Sequence, residues 1–69
     1  MDHELIEYVL ALAIPRIDTK PLAKALLHEF GGVAGLLTAD ADAIGRVKGV
    51  GEGAVAALKI VQAASLRLL

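Results

Sequence analysis

The sequence predicts an all-α fold, a bundle of about five short helices in a single domain spanning residues 1–69. Three observations lead there. Apolar residues recur at helical spacing of three and four along most of the chain, with no sustained alternation of the kind that marks a strand. The core must be aliphatic, because 57% of the residues are hydrophobic while the chain holds one Phe, one Tyr and no Trp. Pro15, Gly31-Gly32 and Gly49 with Gly51 punctuate the chain between periodic stretches, where helices end and turns begin. A chain of 69 residues lies near the size at which one core only just stabilises a fold, so this apolar content is needed.

The helices follow in order. The first is predicted over residues 3–13, with Asp2 as N-cap, Glu4 in the first turn and Leu5, Ile6, Val9, Leu10 and Ala13 on one face. Pro15 stops it, since proline lacks the donor the next turn requires and disfavours helical geometry in the residue before it. Pro21 suits the first turn of a second helix, whose inward face is Leu22, Ala23, Leu26, Leu27 and Phe30, and Gly31-Gly32 closes it as a C-cap. A short third helix covers residues 33–37. Thr38 or Asp40 caps a fourth over about 41–46. The fifth starts near Glu52 and runs to the chain end with Val55, Leu58, Val61, Ser65 and Leu68 facing inward, while Ile60 points away, near Ala56 and Ala63. It stops at Leu66-Arg67-Leu68-Leu69 without a C-cap. That ending suggests the first domain of a longer protein, with a last helix that contacts either the remainder or a second copy.

Composition excludes several functions. No cysteine is present, hence no disulfide and no thiolate metal site. No apolar run is long enough to span a membrane and no secretory leader opens the chain, so no membrane partner is expected and a cytoplasmic location is the default. One serine, two separated histidines and no paired carboxylates supply no nucleophile and base, so the fragment is read as non-catalytic. Lys24 and His28 lie one turn apart on the second helix, but lysine is a poor metal ligand; no metal or cofactor is expected.

The most informative stretch is Val47-Lys48-Gly49-Val50-Gly51-Glu52-Gly53-Ala54. Gly49 and Gly51 read as a turn between the fourth and fifth helices, both at positive φ, with Val50 plugging the open end into the core. The amides of Gly51, Glu52 and Gly53 then lie at the positive end of a helix dipole, a place that can hold a phosphate. The same spacing serves a structural corner with no ligand. Ile44, Val47, Gly49-Val50-Gly51, Ala54 and Leu58 resemble the helix-hairpin-helix motif, which implies binding of the DNA backbone without sequence specificity. Carried over by position, the motif puts phosphate-binding amides at Gly49, Gly51 and Gly53 with Lys48 as the nearby charge. Glu52 departs from it, because a carboxylate there repels phosphate. A secondary basic loop over residues 14–21 carries Arg16 and Lys20 and reads as a degenerate second hairpin, with the third helix as connector. The formal charge of −1 argues against a strongly basic surface.

Asp2-His3-Glu4-Leu5, Leu22-Ala23-Lys24-Ala25-Leu26-Leu27 followed by Phe30-Gly31-Gly32, the Leu36-Leu37 pair and Val47-Lys48-Gly49-Val50-Gly51 together resemble the amino-terminal domain of the RadC family. The resemblance covers nearly the whole chain. It implies a helix-hairpin-helix domain joined to a carboxy-terminal domain of the JAB/MPN metallopeptidase class, with a loose link to DNA repair. Expected partners are therefore the DNA backbone, held weakly, the carboxy-terminal domain of the same chain, and a homo-oligomer through the last helix. DNA binding is favoured over a protein-interaction or dimerisation module, which near-neutral charge, Glu52 and the apolar fifth helix support.

Overall fold

The computed structural model describes residues 2–15 and 18–68. It contains α1 (Asp2–Ala13), α2 (Lys20–Phe30), α3 (Val33–Thr38), α4 (Ala41–Gly45) and α5 (Glu52–Leu68), with no strand among the described residues. The fold is all-α, as the periodicity predicts.

Local chemistry explains where the helices break. α2 carries Pro21 in its first turn, follows Thr19, and ends where Gly31 enters the left-handed region at φ 76°. The Gly31 and Gly32 amides both return to the Leu27 carbonyl, so two donors close the last turn. Asp40 caps α4, its Oδ2 accepting from the Asp42 amide at 3.1 Å. Thr38 does not share that role, because its hydroxyl donates to the Ala34 carbonyl one turn back at 2.7 Å. α4 ends at Gly45, one residue short of the expected Arg46. Asp2 opens α1 as its first helical residue rather than preceding it as a cap.

The core is Ile6 and Leu10 of α1, Ala23 and Leu26 of α2, Leu36 of α3, Ile44 of α4, Val50 of the turn, and Ala54 and Leu58 of α5. Val9, Leu22, Leu27, Phe30 and Val55 pack against it from its edge. The long helices α1 and α5 pack together, α2 lies against α1, and α3 and α4 pack on α5. Two expectations about inward faces need correction. Leu5 is 49% exposed, because α1 turns Ile6 and Leu10 to its neighbours and leaves Leu5 on the outer edge of a wide apolar arc. In α5, Ser65 and Leu68 are exposed although the inward spacing reaches them, and the buried residues of the helix are Ala54 and Leu58.

The side chains of Thr19 and Lys59 tie elements together. The buried Thr19 hydroxyl donates to the Glu7 carbonyl at 2.9 Å, fastening the start of α2 to the middle of α1. Lys59 Nζ donates to the carbonyls of Leu37 and Ala39 and to Gln62 Oε1, so one ammonium on α5 holds the junction of α3 and α4. Lysine satisfies several acceptors at once because it carries three donors.

Candidate nucleic-acid interface

The chain leaves α4 through successive short-range bonds. The Arg46 amide donates to Asp42 O, that of Val47 to Ile44 O, and that of Val50 to Val47 O, each at 3.1 Å. The last of these closes a four-residue turn over 47–50. Gly49 occupies its third position at φ 93°, a backbone conformation that residues with a Cβ rarely adopt. Val50 follows and is buried, which anchors the turn to the core. The Gly51 carbonyl then accepts from the Val55 amide at 3.1 Å, and α5 has begun.

The expectation of positive φ at Gly51 is not met. Gly31, Gly32 and Gly49 are the glycines with positive φ among the described residues. One reversal at Gly49 suffices to bury Val50 and aim the chain along α5, so no second is required. A methyl group at Gly51 would also meet nothing within 4 Å. Neither backbone geometry nor packing explains a glycine at this position.

Lys48, Gly49, Gly51, Glu52 and Gly53 are all exposed and lie within six consecutive residues. The amides of Glu52, Gly53 and Ala54 have no carbonyl a turn earlier to receive them, as at the start of any α-helix, and the helix dipole adds positive potential. The Glu52 carboxylate sits on the same first turn, where the helix dipole favours an acid as it would a phosphate.

The turn has two unlike flanks. On one side an open cleft of about 660 Å³ is floored by Gly45, Val50, Val55 and Ala56 and carries Asp42 and Glu52. On the other, a second cleft of about 420 Å³ is lined by Glu29, Phe30, Val47, Arg46 and Lys48. Arg46 borders both. Sequence spacing placed Arg46 beside the turn but gave no sign that it separates an acidic flank from a more basic one.

Residues of α1 and α2 lie beside this turn. A methyl group at Gly49 would stand 3.7 Å from Leu22 Cδ1, and one at Gly53 would stand 4.0 Å from the Ala13 carbonyl oxygen. The end of α1 and the start of α2 thus flank the start of α5. Lys20 is exposed at the beginning of α2, where its amide donates to Asp18 Oδ1 at 3.1 Å. Arg16, its expected companion, lies outside the described residues. Lys24 and His28 are both exposed on α2, and no group of three or more potential metal ligands occurs among the described residues. No described helix is long and apolar enough to cross a membrane.

No family model matches the chain, and no solved structure matches it. Over 67 residues, 97% of its length, it is 48% identical to a UPF0758 protein of Ruegeria pomeroyi. A UPF0758 protein of Rhodobacter capsulatus is 49% identical, also over 67 residues. The chain spans about 30% of the length of each. Along nearly all of its own length, then, this chain is similar to under a third of proteins named UPF0758, which is the RadC family.

Proposed function

We propose that the turn and the start of α5 form a non-catalytic helix-hairpin-helix module that binds the DNA backbone without sequence preference, in a role linked to DNA repair. Phosphate oxygens accept from the amides of Gly49, Gly51 and Gly53, and Lys48 supplies the nearby positive charge. One observation carries this reading: Gly51 is exposed, needs no positive φ and has open space where a side chain would stand. A glycine that the fold does not require, at the first turn of a helix, is suited to close approach by another molecule. Lys20 beside the turn extends the surface, and the loop over 14–21 takes the part of a degenerate second hairpin. In longer relatives the module would serve the rest of the chain, which the RadC resemblance assigns to a JAB/MPN-type domain.

The protein-interaction reading is favoured by a different observation, the exposed apolar side chains of Leu5, Tyr8 and Leu12 on α1 and Ile60 on α5. Titration of a fluorescent duplex decides between them. Contact with about two to four phosphates predicts a slope of about −2 to −4 for log affinity against log salt, with dissociation constants near physiological salt of about 10⁻⁴ to 10⁻⁶ M. Glu52→Lys is expected to tighten binding and Lys48→Glu to abolish it. If the wild type binds no DNA at low salt and Glu52→Lys creates no binding, the hairpin is a structural corner of an interaction module.

A further inference from the structure

α5 presents a second face that its own fold leaves uncovered. Ala54 and Leu58 point into the core. At 3.6 residues per turn, Glu52, Ala56, Ile60, Ala63 and Arg67 fall within an arc of about 80° on the opposite side of the helix. Glu52, Ala56, Ile60 and Arg67 are exposed and Ala63 is half-buried, with Ile60 at 68% exposure the one large apolar side chain among them. The face therefore carries an acid at its amino-terminal end, a base at its carboxy-terminal end, and an isoleucine flanked by alanines between.

We propose that this face is the contact between two copies of the chain, with the two α5 helices packed antiparallel across a two-fold axis near Ile60. The reason is that the face is its own complement when reversed. Glu52 lies eight residues before Ile60 and Arg67 seven after it; Ala56 lies four before and Ala63 three after. Antiparallel pairing sets each Glu52 against the partner's Arg67, each Ala56 against the partner's Ala63, and Ile60 against its own copy. Such a contact is isologous, so every favourable pair occurs twice. Parallel pairing would set acid against acid and base against base. The alanines let the helix axes approach closely enough for Ile60 to lose its water.

The other cation on the helix does not compete. Lys59 is held by the Leu37 and Ala39 carbonyls and Gln62. Arg67 uses Nη1 to donate to the Ala63 carbonyl at 3.1 Å, and a guanidinium has further N–H donors for a carboxylate. Glu52 would then be paired, which lessens its competition for the hairpin amides. The two turns would stand about 25 Å apart along the helix axis. This last consequence rests on the DNA reading; the dimer does not.

Sedimentation equilibrium without DNA tests the pairing, so a failure of DNA binding leaves the result intact. The contact is one helix face, and a weak dimer is expected, its mass rising from one chain to two between roughly 10 µM and 1 mM. Ile60→Lys should leave a folded monomer by circular dichroism, Ile60→Ala should weaken association without adding charge, and Leu12→Lys on α1 should change nothing. Glu52→Arg or Arg67→Glu alone places like charges at both ends and should weaken association by on the order of tenfold, while the double reversal restores it. A wild type that stays monomeric to about 1 mM overturns the proposal. So does association that survives Ile60→Lys, or a double reversal no better than the singles.

Discussion

Substituting alanine at Gly49 and at Gly51 separates what the fold needs from what a ligand needs. Gly49 sits at φ 93°, and a Cβ there would meet only Leu22 Cδ1 at an ordinary 3.7 Å, so the penalty of Gly49→Ala comes from the backbone alone. Holding a residue with a Cβ in that region costs about 1–2 kcal/mol. Unfolding entropy of about 2.1 cal/mol/K per residue over this length converts that cost to a fall in melting temperature of about 7–14 °C. Gly51→Ala meets neither obstacle, since its φ is not positive and the space around it is open. Removing conformational freedom from the unfolded chain then leaves stability unchanged or raises it by up to about 1 kcal/mol. DNA titration should give the reverse order, with Gly51→Ala weakening binding of a fully folded protein. Thermal denaturation followed by circular dichroism reads the first half and duplex titration the second. If Gly51→Ala destabilises as much as Gly49→Ala, the turn uses both glycines for folding and the argument from an unneeded glycine is lost.

Three other substitutions probe contacts away from the turn. Gly35→Ala should be the most damaging of the glycine-to-alanine changes, because its Cβ would collide with the backbone carbonyl of Phe30; a loss of about 1–3 kcal/mol in denaturant unfolding is expected. Lys59→Met keeps much of the apolar stem but abandons the Leu37 and Ala39 carbonyls, and should cost about 1–2 kcal/mol, with amide exchange quickening at the junction of α3 and α4. Thr19→Val should cost about 1 kcal/mol through the lost bond to the Glu7 carbonyl, whereas Thr19→Ser retains most of the stability. A larger loss for Thr19→Ser than for Thr19→Val would show that the methyl group, not the hydroxyl, holds α1 and α2 together.

Much of this architecture was legible in the chain because helix boundaries are decided locally. Pro15 and Pro21 restrict their own neighbours, Gly31 relieves strain in one residue, and Asp40 bonds an amide two positions away, so each acts whatever the rest of the molecule does. The inward faces of α2 and the burial of Val50 also followed from spacing, since a stripe at helical period can turn only one way toward a core. Where the apolar arc is wide or long, spacing ran out. α1 offered Leu5 and Val9 along the same edge of its stripe, and only the positions of α2 and α5 decided that Leu5 stays out. The pattern of α5 continued to Leu68 although Ser65 and Leu68 stay exposed, because periodicity records what a helix can bury and not what is there to bury it. Gly49 and Gly51 were equivalent by residue type, and the need to bury Val50 with a single reversal assigned positive φ to one of them. The three acceptors of Lys59, and the placing of Ala13 and Leu22 beside the glycine turn, join residues far apart in the chain. No local pattern encodes such contacts, because they exist only after the helices have packed.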